Sequence, residues 1–407
     1  MTAAVWFSHP AGALDSCSLD HLLSRIESAR RTVAPAFSLQ RLELVAGVSA
    51  EILRGKGDAS PGVTHFAYWT RRQALKAFAA DHRARLPADS LARPRGMVFH
   101  LPPQNVETVF LYSWVISYLC GNANLVRLPT ELSEPMARLL DLFQVAVRNA
   151  GDAGQMFVRY PVSETTNAAL SQASDARIVW GGDEKVRAFS TLPLRKGGKA
   201  IWFGDRRSAA VANGDALRGL DHSARRELAA RLHNDIFVFD QMACSSPVRL
   251  YVTGSEDSCG AAVDALLAEV SHIASARGSG PATGHAIRKM VASMALAGQG
   301  AATRVVRYSN SLTSVVAREV EDRPPVGGGF LELVYVDDLL AVAETLAENT
   351  QTLVHFGFDK ETLWRFAADL PPFCVSRIVA MGQALNFDSI WDGYDLASEL
   401  TELTRVG

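Results

Sequence analysis

The stretch from Ala176 to Phe203, ARIVWGGDEKVRAFSTLPLRKGGKAIWF, contains the pattern that decides the fold. An apolar run, Ala176–Trp180, is followed by Gly181-Gly182, by a helix-forming segment and by a second strand-like run, Lys199–Phe203. A strand, a glycine turn, a helix and a further strand together predict one βαβ unit with parallel strands. The helix N-terminus after the two glycines can receive a phosphate group, and an ordinary βα turn without a ligand is the alternative.

The alternation of short apolar runs and helical segments extends on both sides of this stretch. Upstream, the runs Met97–His100 and Met156–Tyr160 alternate with helical segments, and downstream the helical segment Ser223–His233 leads into a second series of strands and helices. Such alternation is typical of parallel sheets covered by helices. We therefore predict an α/β fold with two Rossmann-like lobes, in residues 96–211 and 212–375.

The two ends of the chain differ from these lobes. Within residues 1–95, the segments Leu19–Ser28 and Tyr68–Ala84 carry apolar residues at helical spacing. We predict a helical N-terminal region there, packed on the first lobe. Residues 376–407 contain another strand and end polar, and they form a C-terminal segment.

The composition excludes several classes of protein. Of the 407 residues, 48% are hydrophobic and 21% charged, and the formal net charge is −2. This balance indicates a globular protein and excludes a disordered chain. Near-neutral charge removes the electrostatic reason to expect nucleic acid or an anionic membrane as a partner. The longest apolar run, Val109–Cys120, is shorter than the roughly 20 residues that cross a bilayer, so we expect no membrane span.

The N-terminus and the cysteines indicate the compartment. Residues Met1–Pro10 contain neither a basic region nor a long apolar one, so they do not predict a signal peptide. The cysteines are odd in number and lack CxxC or Cys/His spacing, which disfavours a disulfide scaffold and a metal site. We expect a reduced, cytoplasmic protein. The five cysteines are Cys17, Cys120, Cys244, Cys259 and Cys374.

One cysteine has a context that favours reactivity. Cys244 lies in the segment Asp240-Gln-Met-Ala-Cys-Ser-Ser-Pro247, among small polar residues and directly before a strand. A cysteine on such a turn can expose its sulfur, and nearby backbone N–H groups lower the pKa of a thiol and stabilise the thiolate. A buried structural cysteine is the alternative for Cys244. For the other four cysteines, a buried structural role is the preferred interpretation.

Three further features have a structural interpretation beside a functional one. His100 ends a strand beside a proline turn, where a hydrogen-bonded structural histidine is favoured over a catalytic one. The glycines Gly327–Gly329 lack the strand–loop–helix context of a dinucleotide loop and predict a flexible lead-in to a strand. Arg206-Arg207 follows a strand end, where a phosphate contact and a solvated surface pair are equally supported.

The ordered set of segments resembles the acyl-CoA reductase family of LuxC type, a branch of the aldehyde dehydrogenase superfamily. The resemblance extends from about residue 96 to the end of the chain. The segments that carry it are His100–Asn105, Gly121–Pro129, Arg177–Asp183, Phe203–Ser208, Gln241–Pro247, Arg377–Leu385 and Trp391–Asp395.

The resemblance implies an aldehyde dehydrogenase-like fold, with a cofactor-binding and a catalytic lobe, and a role for individual residues. Cys244 would be the nucleophile, and Asn105 would be the side-chain donor that holds the developing oxyanion together with the Cys244 backbone N–H. The C-terminal segment would return to the active site or to a subunit interface. Residues implied to bind the cofactor are Pro103, Gln104, Arg127, Trp180, Gly181, Gly182, Asp183 and Gly204.

Three departures from the superfamily pattern refine the expected chemistry. The water-activating glutamate that precedes a Gly-Gly-Lys in aldehyde-oxidising members is matched with Arg195, in the run Arg195–Lys199. The carboxylate that would accept the adenosine ribose 2′-hydroxyl, three residues after Arg127, is Thr130, which favours NADPH over NADH although Glu131 follows. The acid that would hold the nicotinamide ribose is absent from Pro324–Gly328.

The expected activity is therefore NADPH-dependent reduction of an acyl thioester to an aldehyde through a cysteine acyl-enzyme. Two alternatives stay open: an aldehyde dehydrogenase that works in the oxidising direction, and a cofactor-free cysteine acyltransferase on the same fold. The expected partners are an acyl thioester substrate, with CoA, an acyl carrier protein or an acylated protein as the donor, and further copies of the same chain in a homo-oligomer.

Overall fold

The computed structural model describes residues 4–8, 14–55, 61–103, 108–278 and 283–407. The chain divides into two compact units. The first contains residues 1–204 together with 387–407, and the second contains residues 205–386. Each unit is built around a seven-stranded sheet.

The strands, in chain order, are β1 (Ala4–Ser8), β2 (Leu14–Ser18), β3 (Ser90–Pro94), β4 (Met97–Leu101), β5 (Ala123–Arg127), β6 (Gln155–Arg159), β7 (Ala176–Trp180), β8 (Lys199–Phe203), β9 (Arg207–Asn213), β10 (Pro247–Thr253), β11 (Ala302–Arg307), β12 (Thr313–Ala317), β13 (Phe330–Val336), β14 (Thr350–Phe356), β15 (Arg377–Ala380), β16 (Ile390–Trp391), β17 (Tyr394–Asp395) and β18 (Thr401–Arg405).

The helices are α1 (Leu19–Ala29), α2 (Leu39–Arg54), α3 (Pro61–Trp69), α4 (Arg72–Arg85), α5 (Val109–Leu119), α6 (Glu134–Asn149), α7 (Glu164–Gln172), α8 (Asp183–Ser190), α9 (Gly214–Arg218), α10 (His222–Phe237), α11 (Glu256–Ala276), α12 (Thr283–Gly298), α13 (Leu339–Thr345), α14 (Lys360–Ala368) and α15 (Leu396–Glu399).

The first sheet has the strand order β2-β1-β6-β5-β4-β7-β8. Strands β6, β5, β4, β7 and β8 are parallel, as the alternating pattern predicts. All five residues of β4 are buried, because helices cover both faces of a parallel sheet. The α/β prediction is confirmed in this unit.

The N-terminal region contains the helices α1 to α4 and also three strands. Strands β1 and β2 form an antiparallel hairpin that adds to the edge strand β6. The sequence analysis missed this hairpin because β2, Leu-Asp-Ser-Cys-Ser, is rich in small polar residues rather than β-branched ones. The third strand, β3, pairs with β18, so the last strand of the chain lies against residues 90–94.

The second sheet has the order β11-β12-β13-β10-β9-β14-β15, and only β11 is antiparallel to its neighbour. Strand β9 pairs with β10 and β14. Residues 207–211 therefore belong to the second unit, whereas the sequence analysis placed them in the first lobe. Strand β15 pairs with β14, so residues 377–380 also belong to this sheet rather than to a separate C-terminal segment.

Helix α11 is long and apolar enough to cross a membrane by length and composition alone. In the second unit it packs as a core helix instead. Val263, Leu266, Leu267 and Val270 have no exposed surface and belong to the core cluster that covers the sheet.

Candidate active site

The carboxyl edge of the first sheet brings together the described residues that were assigned to cofactor binding. Strands β5, β4, β7 and β8 are neighbours and parallel, so the residues that end or follow them lie along one edge. Ligands bind at this edge in open parallel sheets. The residues placed there are Pro103, Arg127, Trp180, Gly181, Gly182, Asp183 and Gly204. Gln104 and Asn105 lie outside the described residues.

Arg127 is held in place by an aromatic ring. Its guanidinium carbon lies 4.6 Å from the centroid of the Tyr160 ring, and Nη2 donates to the Tyr160 carbonyl oxygen over 3.4 Å. The side chain is half-buried, whereas Thr130 and Glu131 are exposed. A fixed guanidinium at the end of β5 is suited to bidentate binding of a phosphate group.

Trp180 is the innermost residue of this edge. Its ring stacks on Phe203 with centroids 3.7 Å apart, and its Nε1 donates to Ser113 Oγ over 3.2 Å. Ser113 Oγ also lies 2.8 Å from His100 Nδ1, and His100 Nε2 lies 2.8 Å from Asn124 Oδ1. Burial lowers the pKa of His100 to about 4, so the imidazole is neutral. His100 is thus a hydrogen-bonded structural residue that supports Trp180.

A half-buried lysine connects two of the strand ends. Lys185 Nζ donates to the carbonyl oxygens of Leu101, Pro102 and Trp180 over 3.1, 2.7 and 2.8 Å. Burial, with a smaller effect from the Arg127 charge, lowers its pKa to about 8. The sequence analysis missed Lys185 because a lysine within Asp-Glu-Lys-Val-Arg has the pattern of an exposed helical face.

Glycines allow a close approach between the β7 and β8 ends. Helix α8 begins at Asp183 with Gly182 as its N-cap. A Cβ atom on Gly204 would overlap Asp183 Oδ1, and one on Gly181 would lie 2.7 Å from Lys185 Cδ. A helix N-terminus after β7 and a fixed arginine after β5, on the same edge of the sheet, suit the phosphate and ribose groups of a dinucleotide. The carboxylates of Asp183 and Glu184 in the first turn reduce the positive potential at that helix end.

In the second unit, Cys244 lies on the segment between α10 and β10 and is half-buried. Ser208 Oγ donates to its carbonyl oxygen over 2.7 Å. Cys120, Cys259 and Cys374 are buried, and burial raises the pKa of the Cys120 and Cys374 thiols. Cys17, the other half-buried cysteine, also has a pKa raised by burial.

The residues before Cys244 have a strained backbone that one side chain clamps. Asp240 and Gln241 have φ angles of 50° and 61°, in the left-handed region that residues other than glycine rarely adopt. Gln241 is buried, and its Nε2 donates to the carbonyl oxygens of Pro247 and Phe330 over 2.8 and 2.9 Å. Its Oε1 accepts from the N–H groups of Gly329 and Phe330 over 3.0 and 2.9 Å. Gln241 thereby fixes this segment to the start of β10 and β13.

The glycine triplet Gly327–Gly329 forms a fixed turn. Its φ angles are 73°, 61° and 81°, and the Gly328 N–H donates to the Asp240 carbonyl oxygen over 2.9 Å. A Cβ atom on Gly329 would overlap the Ser311 carbonyl oxygen. The triplet leads directly into β13, as the sequence predicts, and its three consecutive left-handed residues also make specific contacts with the Cys244 segment.

A cavity of about 450 Å³ opens beside the same segment. Met242, two residues before Cys244, forms part of its wall, together with residues of α12 and of the β12–β13 loop. Its volume is in the range of small-molecule sites, and its wall is mostly apolar. The lining residues are Met242, Ile287, Arg288, Val291, Ala292, Pro325 and Val326.

Comparison with known proteins identifies the family. The family model of acyl-CoA reductase (LuxC) matches residues 71–406. The chain belongs to the LuxC acyl-CoA reductase family. No curated protein sequence matches this LuxC-family chain.

Solved structures show the fold of this LuxC-family chain to be that of aldehyde dehydrogenases. An oxidoreductase from Marinobacter aquaeolei superposes with a TM-score of 0.68 at 13% identity, over 99% of this chain and 94% of that one. Aldehyde dehydrogenase 21 from Physcomitrella patens gives 0.68 at 11% identity, over 99% and 94%. An NAD-dependent aldehyde dehydrogenase from Sinorhizobium meliloti gives 0.65 at 14% identity, over 100% and 91%.

The structure corrects the assignment of Arg195 within the LuxC-family pattern. Arg195 precedes β8 and therefore lies at the amino edge of the first sheet, opposite the carboxyl edge where the cofactor residues gather. It lies 3.6 Å from Glu27 Oε2 and 3.7 Å from Asp175 Oδ1, as one member of an ion-pair cluster. At the carboxyl end of β8, the ring of Trp202 packs on Arg177, whose guanidinium carbon lies 5.0 Å from the ring centroid.

Proposed function

We propose that this chain reduces an acyl thioester to an aldehyde, with NADPH as the reductant and with an acyl-enzyme on Cys244. Membership of the LuxC family supports acyl reduction to an aldehyde in general. The observation that carries the specific proposal is the Cys244 segment. It presents a half-buried cysteine on a backbone clamped by Gln241 and Gly328, beside a cavity of small-molecule size.

In the first step, the Cys244 thiolate attacks the carbonyl carbon of the thioester. A new carbon–sulfur bond forms to Cys244 Sγ, the bond to the carrier sulfur breaks, and the carrier leaves as a thiol after taking up a proton. One thioester replaces another, so the step is nearly thermoneutral. The developing negative charge on the carbonyl oxygen would be held by the backbone N–H of Cys244 and by the Asn105 side chain.

The bound cofactor would supply the hydride that converts the Cys244 thioester into an aldehyde and regenerates the thiolate. Arg127 would hold its adenosine end, and the absence of a carboxylate at Thr130 favours a 2′-phosphate, hence NADPH. Pro325 and Val326, from the stretch that the resemblance matches with the region of the nicotinamide ribose, line the cavity beside the Cys244 segment.

The environment of the acyl-enzyme would also protect it from water. The run that the resemblance matches with the water-activating glutamate, Arg195–Lys199, contains no carboxylate, and the carboxyl end of β8 has Trp202 and Phe203 instead of an acid. We therefore propose that the acyl group persists on Cys244 until it is reduced. This feature favours an aldehyde-forming enzyme over one that oxidises aldehydes to acids.

Intact-protein mass spectrometry tests this proposal. Wild type, Cys244→Ala and Cys17→Ala are incubated with acyl-CoA thioesters of graded chain length, with and without NADPH. Cys17→Ala is the matched control because Cys17 is the other half-buried cysteine. We expect an acyl adduct on wild type and Cys17→Ala, its loss with aldehyde release when NADPH is added, and no adduct on Cys244→Ala.

Each alternative gives a different result in the same experiment. A Cys244→Ala protein that still accumulates the adduct and releases aldehyde contradicts the proposal. An adduct that is insensitive to NADPH but passes to an added thiol indicates a cofactor-free acyltransferase. An acyl carrier protein and an acylated protein, tested beside CoA, identify the physiological class of donor.

A further inference from the structure

A second lysine, Lys289 on α12, is buried at a site that the reaction does not use directly. Only 2% of its surface is exposed. Its Nζ donates to the carbonyl oxygens of Asn310, Ser311 and Gly328 over 2.9, 2.6 and 2.6 Å. The three N–H donors of the ammonium group thus have three acceptors. Charge-assisted hydrogen bonds of this kind are stronger than neutral ones, which lets one side chain fix several backbone segments.

The Gly328 contact leads directly to the nucleophile segment. Gly328 accepts from Lys289 at its carbonyl oxygen, and its own N–H donates to the carbonyl oxygen of Asp240. Its neighbour Gly329 donates to Gln241 Oε1. One residue of the glycine triplet therefore lies between the lysine and the strained backbone that carries Cys244.

The strained backbone requires such support. Left-handed φ angles at non-glycine residues such as Asp240 and Gln241 are energetically unfavourable and persist only where the surrounding structure holds them. The glycine triplet supplies N–H groups to both residues, and its own left-handed conformation is fixed through the Lys289 contacts. Without the ammonium group, the carbonyl oxygens of Gly328 and Ser311 would lose the donor that they share.

We propose that Lys289 is a positioning residue for Cys244: it fixes the Gly327–Gly329 turn and, through that turn, the backbone of Asp240 and Gln241. The reaction to which this matters rests on the proposed function, because an acyl transfer to Cys244 requires the sulfur to be held in one position. Burial, with a smaller effect from the Arg307 charge, lowers the pKa of Lys289 to about 8, so the ammonium form still predominates at pH 7.

Hydrogen exchange measured by mass spectrometry tests the positioning role without relying on activity. Lys289→Met keeps the aliphatic length and removes the three donors. Arg304→Met is the control, because it breaks the ion pairs with Glu256 and Asp264 in the same unit without contact to the turn. We expect Lys289→Met to accelerate exchange in peptides covering residues 237–247 and 326–330, with β10 unchanged, and Arg304→Met to leave both peptides protected.

The rate of acyl-adduct formation and the NADPH affinity complete the test. We expect acylation of Lys289→Met to slow by about 10²-fold, the loss typical of a misplaced reacting group, while the Kd for NADPH stays near the wild-type value. Lys289→Gln, which keeps two donors, should give an intermediate effect and serves if the methionine variant does not fold.

Two outcomes overturn the positioning role: unchanged exchange of residues 237–247 in Lys289→Met, or equal effects of Lys289→Met and Arg304→Met on both peptides and on acylation. A wild-type protein that forms no adduct on Cys244 would contradict the proposed function instead. The exchange measurement would still decide whether Lys289 fixes the segment.

Discussion

Under the proposed function, the choice of cofactor depends on Arg127. Its guanidinium is fixed over Tyr160, and the resemblance matches the exposed Thr130 with the carboxylate that would accept a ribose 2′-hydroxyl. Because a hydrogen bond to a charged group is worth about 1.5–3 kcal/mol, Arg127→Ala should raise the KM for NADPH about 10- to 100-fold and change that for NADH much less. Steady-state kinetics with both cofactors measure this.

The converse variant is Thr130→Glu. A carboxylate there would repel a 2′-phosphate and accept a 2′-hydroxyl, so the ratio of kcat/KM values should move toward NADH. Equal changes for the two cofactors in Arg127→Ala, or no shift in Thr130→Glu, would show that this corner of the sheet does not bind the 2′-position.

Single residues also show what the sequence could and could not predict about the site. The polar context of Cys244 and the strand ends at Arg127 and Trp180 are local patterns, and the structure places these residues where the patterns suggest. Lys185 and Lys289 were missed, because each lies in a helical segment and only tertiary packing buries its ammonium group. Arg195 was misassigned because Gly-Gly-Lys also occurs before β8, at the wrong edge of the sheet.

At the scale of elements, the parallel strands were predictable and the turns between them were not. Continuous apolar runs such as β4 and β7 predict buried parallel strands, because both faces of such a strand are covered. The Gly327–Gly329 turn resembles a flexible linker in sequence. Its rigidity comes from partners distant in the chain, Gln241 and Lys289, which no local pattern reveals.

The same turn gives a prediction about stability. Gly329 and Gly300 have φ angles of 81° and 71°, but a Cβ atom would overlap the Ser311 carbonyl oxygen at Gly329 and meet nothing within 4 Å at Gly300. Gly300→Ala should therefore lower the free energy of unfolding only by the cost of a left-handed alanine, about 1–2 kcal/mol. Gly329→Ala should lower the free energy of unfolding by roughly a further 1–3 kcal/mol, because the added methyl group overlaps the Ser311 carbonyl oxygen.

Urea denaturation of the two alanine variants measures the difference. Because both substitutions lie in the second unit and add one methyl group, their comparison isolates the contact from the backbone penalty. Equal losses of unfolding free energy would mean that the turn is as loosely held as an open surface loop, and this would also weaken the argument for Lys289.

At the scale of the whole molecule, the two-lobe organisation follows from the repeated strand–helix pattern, but the boundary between the units does not. Strand β9 follows β8 closely in sequence and continues the strand–helix pattern of the first lobe. Only its pairing with β10 and β14 shows that it belongs to the second sheet. Sheet membership is decided by long-range hydrogen bonds. Sequence spacing locates such a strand without assigning it to a sheet.

The free energy of unfolding should depend on pH through one buried carboxyl group, that of Asp235 on α10. It has no exposed surface and accepts from the N–H groups of Gly382 and Ala384 over 2.6 and 2.9 Å, which anchors the segment after β15. Burial raises its pKa from 3.8 to about 6. The folded state therefore binds this proton more tightly than the unfolded state, and the stabilisation is present below pH 4 and lost as the pH rises through 6.

The loss is on the order of 3 kcal/mol for a shift of about two pKa units. Asp235→Asn stays neutral at every pH, so its stability lacks this pH dependence. Its single side-chain oxygen can accept from only one of the two N–H groups, and its NH2 group faces the other. We therefore expect Asp235→Asn to be clearly less stable than wild type at pH 4.5 and to recover most of the difference by pH 7.5.

Urea denaturation at the two pH values measures the difference in unfolding free energy. Because the histidines titrate in both proteins, their contribution cancels in that difference. A stability difference that stays constant or widens as the pH rises would show that Asp235 is already ionised at pH 4.5, and that its two backbone hydrogen bonds outweigh the cost of burying its charge.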